Sequence, residues 1–91
     1  AVLRTVAEQF DVRIADLRGR NRQRQIAFPR QIAMYLCKTL IPSMSLSDVG
    51  EAVGGKDHTT VLYACQKLDR EAKQNSETRQ LLNDLERRLR G

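Results

Sequence analysis

The sequence predicts an all-α fold, a compact helical bundle, from three observations. Apolar residues recur at steps of three and four, as in Val2, Val6 and Phe10, which is the period of a helix buried on one face. The one stretch with period two, Arg18-Gly19-Arg20-Asn21-Arg22-Gln23-Arg24-Gln25, has no apolar partner face and therefore nothing to bury as a strand. Glycine, proline and short polar residues punctuate the chain where helices should stop and start, at Asp11, Pro42, Gly54-Gly55 and Asn75. Aromatics are scarce at 4%, so the core should be built from Leu, Ile, Val and Ala. A chain of 91 residues has room for a single domain, 1–91, with one modest core.

Taken in order, the first helix covers residues 1–10 and ends at Asp11, and Ile14-Ala15-Asp16-Leu17 reads as a short second helix or a turn. The arginine run at about 18–25 is a solvated basic loop. The next helix should begin at Ile26 to Phe28, with Pro29 in its first turn, where a missing N–H is harmless, and run to Leu40. Ala33, Leu36, Cys37 and Leu40 share a face there and mark the centre of the core. Pro42 stops that helix. Ser45 can cap a short helix holding Leu46, Val49, Ala52 and Val53, closed by Gly54-Gly55. A longer helix follows from about Asp57 to Lys73, with Val61, Ala64, Cys65, Leu68 and Ala72 inside and Thr59, Thr60, Tyr63 and Lys67 outside. Asn75 or Ser76 caps a last helix at about 76–90, whose Leu81, Leu82, Leu85 and Leu89 should pack back on the bundle.

Hydrophobic residues at 41% and charged residues at 30% describe a globular chain rather than a disordered one. No apolar run approaches the roughly 20 residues of a membrane span, and no signal-peptide pattern opens the sequence, which begins at Ala1 already inside a helical pattern, as a fragment of something longer would. Sixteen Lys and Arg against eleven Asp and Glu give a net charge of +5, and the excess is local. Between Arg18 and Arg30 there are five arginines and no acid, whereas from Asp57 onward seven bases face six acids. Such a patch attracts polyanions, nucleic acid first among them; the alternative for the run is a charged connector. Cys37 and Cys65 each lie in an apolar stripe, with one histidine in the chain and no Cys-x-x-Cys spacing, so the expectation is buried free thiols, no metal site and a reducing, cytoplasmic setting.

The densest chemistry is Gly54-Gly55-Lys56-Asp57-His58-Thr59-Thr60-Val61. A short helix, a glycine turn and a longer helix with a polar leading end form the helix-turn-helix pattern, at about 45–73, whose second helix enters the major groove of DNA with its N-terminal residues on the base edges. The alternative is an ordinary helical hairpin. Arg30 and Gln31, placed in a first turn, would face free N–H groups and the positive end of a helix dipole, a setting for phosphate. Two other readings are rejected. Gly50-Glu51-Ala52-Val53-Gly54-Gly55-Lys56 matches most of the phosphate-binding loop Gly-x-x-x-x-Gly-Lys-Ser/Thr, but Asp57 stands where Mg²⁺ needs a hydroxyl and no strand precedes it. Asp57, His58, Thr59 and Thr60 do not make a catalytic relay, since neighbours on a helix diverge by about 100°, and no catalysis is expected.

Gly55-Lys56-Asp57-His58-Thr59-Thr60-Val61, followed by Ala64 and Lys67, resembles the signature of the C-terminal domain family of DnaA, the bacterial chromosomal replication initiator. The likeness extends to Pro29-Arg30-Gln31-Ile32-Ala33-Met34-Tyr35-Leu36, to the arginine loop and to the N-terminal helix. It implies an all-helical domain with a helix-turn-helix core that binds double-stranded DNA at DnaA boxes, elements near TTATCCACA, as a monomer on an asymmetric site. It also implies a bacterial, cytoplasmic and nucleoid-associated setting. No cofactor is implied for this domain, ATP belonging to an upstream initiator domain that is absent here. By position, Arg22 resembles the arginine placed in the minor groove, Asp57, His58, Thr59 and Thr60 the base readers, and Arg30, Gln31, Lys38 and Lys56 the phosphate anchors. Lys56 stands where the family usually has Arg, keeping the charge without the planar fork. The 41–46 loop is one residue longer than in some relatives, and a proline contact to thymine does not carry over to Ser47. A generic helix-turn-helix transcription regulator, and a protein-interaction module built on the Leu81–Leu89 stripe, stay open as alternatives.

Overall fold

A computed structural model describes residues 1–20 and 23–91. Six helices follow one another: α1 Val2–Phe10, α2 Ile14–Arg18, α3 Arg24–Leu40, α4 Leu46–Ala52, α5 His58–Gln74 and α6 Ser76–Arg90, and there is no strand among the described residues. Each of the six contributes to one buried cluster, from Val6 in α1 and Leu17 in α2 to Leu82 and Leu85 in α6. Helix α3 lies against all five others. Its middle is therefore buried on more than the expected face, with Ile32, Ala33, Met34, Leu36 and Cys37 all out of solvent.

The caps explain most of the boundaries. Asp11 ends α1 in the left-handed conformation at φ 54°, which Asp tolerates, and lets the Val12 N–H reach the Ala7 carbonyl at 3.0 Å. Ser45 and Asp48 cap α4 reciprocally: the Asp48 N–H donates to Ser45 Oγ at 3.0 Å and the Ser45 N–H to Asp48 Oδ2 at 3.2 Å. Asn75, the first of the two expected candidates, accepts from Glu77 and Thr78 and starts α6. Five residues cannot hold a helix in water, so α2 depends on Leu17, which is fully buried and stabilises by about 1.5–3 kcal/mol on that account.

One expectation needs correction. Helix α3 starts at Arg24 rather than at Ile26 to Phe28, so Arg24 and Gln25 belong to the helix, Arg18 to α2, and Pro29, Arg30 and Gln31 lie beyond the first turn. The earlier start carries Ile26 into the core, while the carbonyl that Pro29 cannot serve, that of Gln25, sits at the exposed helix start. The leucine stripe of α6 packs back on the bundle as expected, and the alternative of a free surface falls: Leu82 and Leu85 are buried, and Leu81 and Leu89 pack on the same core. Arg88 fastens α6 to α1 through Gln9 Oε1 at 2.9 Å. Of the two cysteines, both free, Cys37 is buried as expected and Cys65 is half-buried.

The link between α4 and α5 is set by close backbone contact. The N–H groups of Gly55 and Lys56 both donate to the Gly50 carbonyl at 2.9 Å, so the chain doubles back over α4. A Cβ at Gly50 would lie 2.0 Å from the Lys56 carbonyl oxygen, and one at Gly54 would lie 1.9 Å from that of Arg18. Gly55, at φ 85°, has open space around it. Gly55→Ala should therefore cost about 1–2 kcal/mol from left-handed strain alone, and Gly54→Ala clearly more, because α2 must also move. Urea denaturation of the two variants checks this, and equal losses would contradict the contact at Arg18.

Candidate nucleic-acid interface

At the start of α5, Asp57 is the N-cap, with extended backbone at φ −65°, ψ 148°, and its carboxylate accepts the Thr59 N–H at 3.4 Å. Because Asp57 stands outside the helix, it does not diverge from His58 as two helical neighbours would. Its Oδ1 lies 3.0 Å from His58 Nδ1, which corrects the geometry expected from sequence. In the neutral imidazole an Nδ1–H directed at Asp57 leaves Nε2 as an outward acceptor. Thr59 and Thr60 are exposed beside them, and Tyr63, one turn further along, is 57% exposed. The turn thus presents a carboxylate at the cap, followed by an imidazole and two hydroxyls with adjacent methyl groups on a helix whose stripe Val61, Ala64 and Leu68 is buried in the core.

The basic side is organised around the end of α2. Arg30 is 7% exposed; its Nε donates to the Leu17 carbonyl and its Nη2 to the Asp16 carbonyl, both at 2.8 Å. Lys56 Nζ donates to the Gly19 carbonyl at 2.7 Å. Between them lies a cleft of about 560 Å³ whose walls include Arg20, Arg30, Gln31, Gly55, Lys56 and Thr60, with no carboxylate among the described lining residues. Burial pushes the Lys56 ammonium below its ordinary value, and the neighbouring Arg30 and Arg20 charges push it further. Burial also lowers the Arg30 guanidinium, which remains a cation. Gln31 Oε1 accepts from Lys67 Nζ at 3.1 Å, tying α3 to α5. Lys38 stands beside the α3–α4 connection, where its Nζ donates to the Pro42 carbonyl at 3.0 Å and to that of Met44 at 2.6 Å. No His, Cys, Asp and Glu group that could hold a metal ion occurs among the described residues, and no helix there is long and apolar enough to cross a membrane.

Residues 1–68 match the family described as the bacterial dnaA protein helix-turn-helix. The chain belongs to that family. Its relatives named chromosomal replication initiator protein DnaA include one from Rippkaea orientalis, 47% identical over 88 residues that make up 97% of this chain and 19% of that protein. Others, from Lactobacillus delbrueckii subsp. bulgaricus and Leptothrix cholodnii, are each 46% identical, over 92% and 99% of this chain and 18% of those proteins. The chain thus spans under a fifth of the length of these curated relatives.

Within this DnaA-type helix-turn-helix, the structure brings Lys56 and Thr60 to the same cleft as Arg30 and Gln31, while Asp57 and His58, which follow Lys56 in the chain, do not line it. Arg30 is not in a first turn but forms a buried wall, so the helix-dipole setting expected for it is absent. Lys38 lies apart from that cleft, and Arg22 falls outside the described residues. Sequence alone missed Arg20 as a cleft residue and Lys67 as the partner of Gln31, since neither long-range approach leaves a local pattern. The cap makes a pH prediction. The bond from Thr59, above all, holds the Asp57 carboxyl below its ordinary value, so its contribution to stability is intact above about pH 4 and is lost as pH falls through the lower folded value. A carboxyl-carbon titration by NMR should place the Asp57 midpoint below that of an unstructured aspartate; an unshifted midpoint would remove the cap.

Proposed function

We propose that this domain binds double-stranded DNA sequence-specifically at DnaA-box elements near TTATCCACA, and that it does so for the initiation of chromosome replication, with ATP handled by upstream domains of the full initiator. The observation that carries this reading is the acid-free basic cleft between the start of the basic loop and the polar first turn of α5. A protein that sets a helix in the major groove and a loop in the adjacent minor groove must straddle one sugar–phosphate strand. Arg20, Arg30 and Lys56 supply the charge for that strand; Lys56 is lowered first by burial and then by repulsion from Arg30 and Arg20, and the repulsion is offset when a phosphate enters.

In this reading Asp57 accepts from an exocyclic amino group of C or A, and His58, Thr59 and Thr60 read neighbouring edges and thymine methyls. Arg22 enters the minor groove, where a narrow A·T stretch concentrates negative potential. Gln31, Lys38 and Lys56 contact phosphates; an ammonium carries three donors, so Lys38 and Lys56 keep some to offer beside their internal bonds. Arg30 contributes its charge from the cleft wall. The chemistry is recognition without a reaction step.

Titration against a box duplex and a scrambled duplex at two salt concentrations tests the proposal. Tighter binding to the box and a steep loss with salt are expected; equal affinity for both duplexes would end the sequence-reading claim, and a flat salt response the phosphate claim. His58→Ala should cost about 1–3 kcal/mol on the box and little on the scrambled duplex.

A further inference from the structure

We infer that Arg30 and Lys56 are positioning residues that fix the start of the basic loop relative to the reading turn of α5, so that the two grooves are addressed at a set spacing. The inference rests on the DNA-binding reading above and gives these two cations a task other than anchoring phosphate.

Four consecutive carbonyls at the end of α2 are met by other parts of the chain. Arg30, from α3, takes those of Asp16 and Leu17. Lys56, from the turn before α5, takes that of Gly19. The Arg18 carbonyl lies against the backbone of Gly54, too close for any Cβ. These carbonyls form the negative end of a short helix, which favours cations, and Leu17 beneath them is fully buried. The stretch that leads into the basic loop is therefore bonded to the same turn that aims Asp57, His58, Thr59 and Thr60. None of these three bonds is to a carboxylate. The attraction is between a charge and a directed backbone dipole, which holds position as well as distance. Lys56 reaches 37 positions back along the chain for its acceptor, a bond that a contact with phosphate does not require and that ties two distant segments together.

The test uses the whole domain as Lys56→Met, which removes the ammonium, Lys56→Arg, which restores a donor, and Gly54→Ala, which pushes the α2 end away without changing charge. In the free protein, 15N order parameters at Gly19 and Arg20 should fall from the rigid range near about 0.85 toward about 0.6 in Lys56→Met and Gly54→Ala, and recover in Lys56→Arg, while α5 amides stay unchanged. On DNA, Lys56→Met and Gly54→Ala should lose roughly tenfold of the preference for A·T over G·C in the flank read by the loop, and Lys56→Arg should regain it. Preference at bases read by α5 should stay within about twofold. Unchanged order at Gly19 and Arg20 in Lys56→Met and Gly54→Ala, or a flank preference in both variants equal to that of the wild type, would overturn the positioning role. A wild-type domain that does not distinguish the box would remove the DNA reading, while the order parameters would still decide whether the clasp exists.

Discussion

Arg30 carries its charge inside the domain and spends two of its donors on backbone carbonyls, and the arrangement of the basic side follows from how that charge is accommodated. A buried guanidinium is costly unless its fork is filled. Here α2 fills it, with two backbone carbonyls at 2.8 Å. That requirement accounts for a helix of only five residues having a fixed place, for Leu17 being driven fully into the core below it, and for the turn at Gly54 closing over Arg18. Lys56 then finds the one remaining carbonyl of the group. Removing the guanidinium would orphan the carbonyls of Asp16 and Leu17, which would lose their Arg30 donors.

Much of the fold was legible because helix ends carry chemistry of their own. Ser45 with Asp48, Asp57 and Asn75 each sit where their side chains take orphan N–H groups, and Gly54-Gly55 break the chain between two of those helices. The start of α3 was not legible. Arg24 and Gln25 are polar and continue the arginine run before them, and Pro29 marks a first turn more often than a second. The misplacement propagated to Arg30, which looked like a surface residue at a helix start because nothing local distinguishes an arginine that faces water from one that faces the carbonyls of a segment 13 positions earlier.

The reading turn itself was legible in composition and less so in geometry. Asp57, His58, Thr59 and Thr60 stood out as short polar side chains where a helix should begin. Their mutual arrangement depended on whether Asp57 was the last residue outside the helix or the first inside, a difference of one position that decides whether its carboxylate meets the imidazole at 3.0 Å or turns away. The basic cleft was invisible beforehand, because it is made by residues from the basic loop, from α3, from the α4–α5 turn and from α5 that meet only after folding.

The turn at Gly50 has a consequence for how this domain can change. Two N–H groups share one carbonyl there, so the number of residues between α4 and α5 is frozen, and with it the rotational phase of α5 about its own axis. Thr60, exposed, and Val61, fully buried, are neighbours on that helix. Reading face and core stripe are in this way locked at a constant angle. One inserted residue would turn the face by about 100° and advance it about 1.5 Å. A change of volume at Val61 or Leu68 would act in the same direction on a smaller scale. Drift in the hydrophobic interior is thus a route by which the domain can alter what it recognises while every outward side chain stays the same.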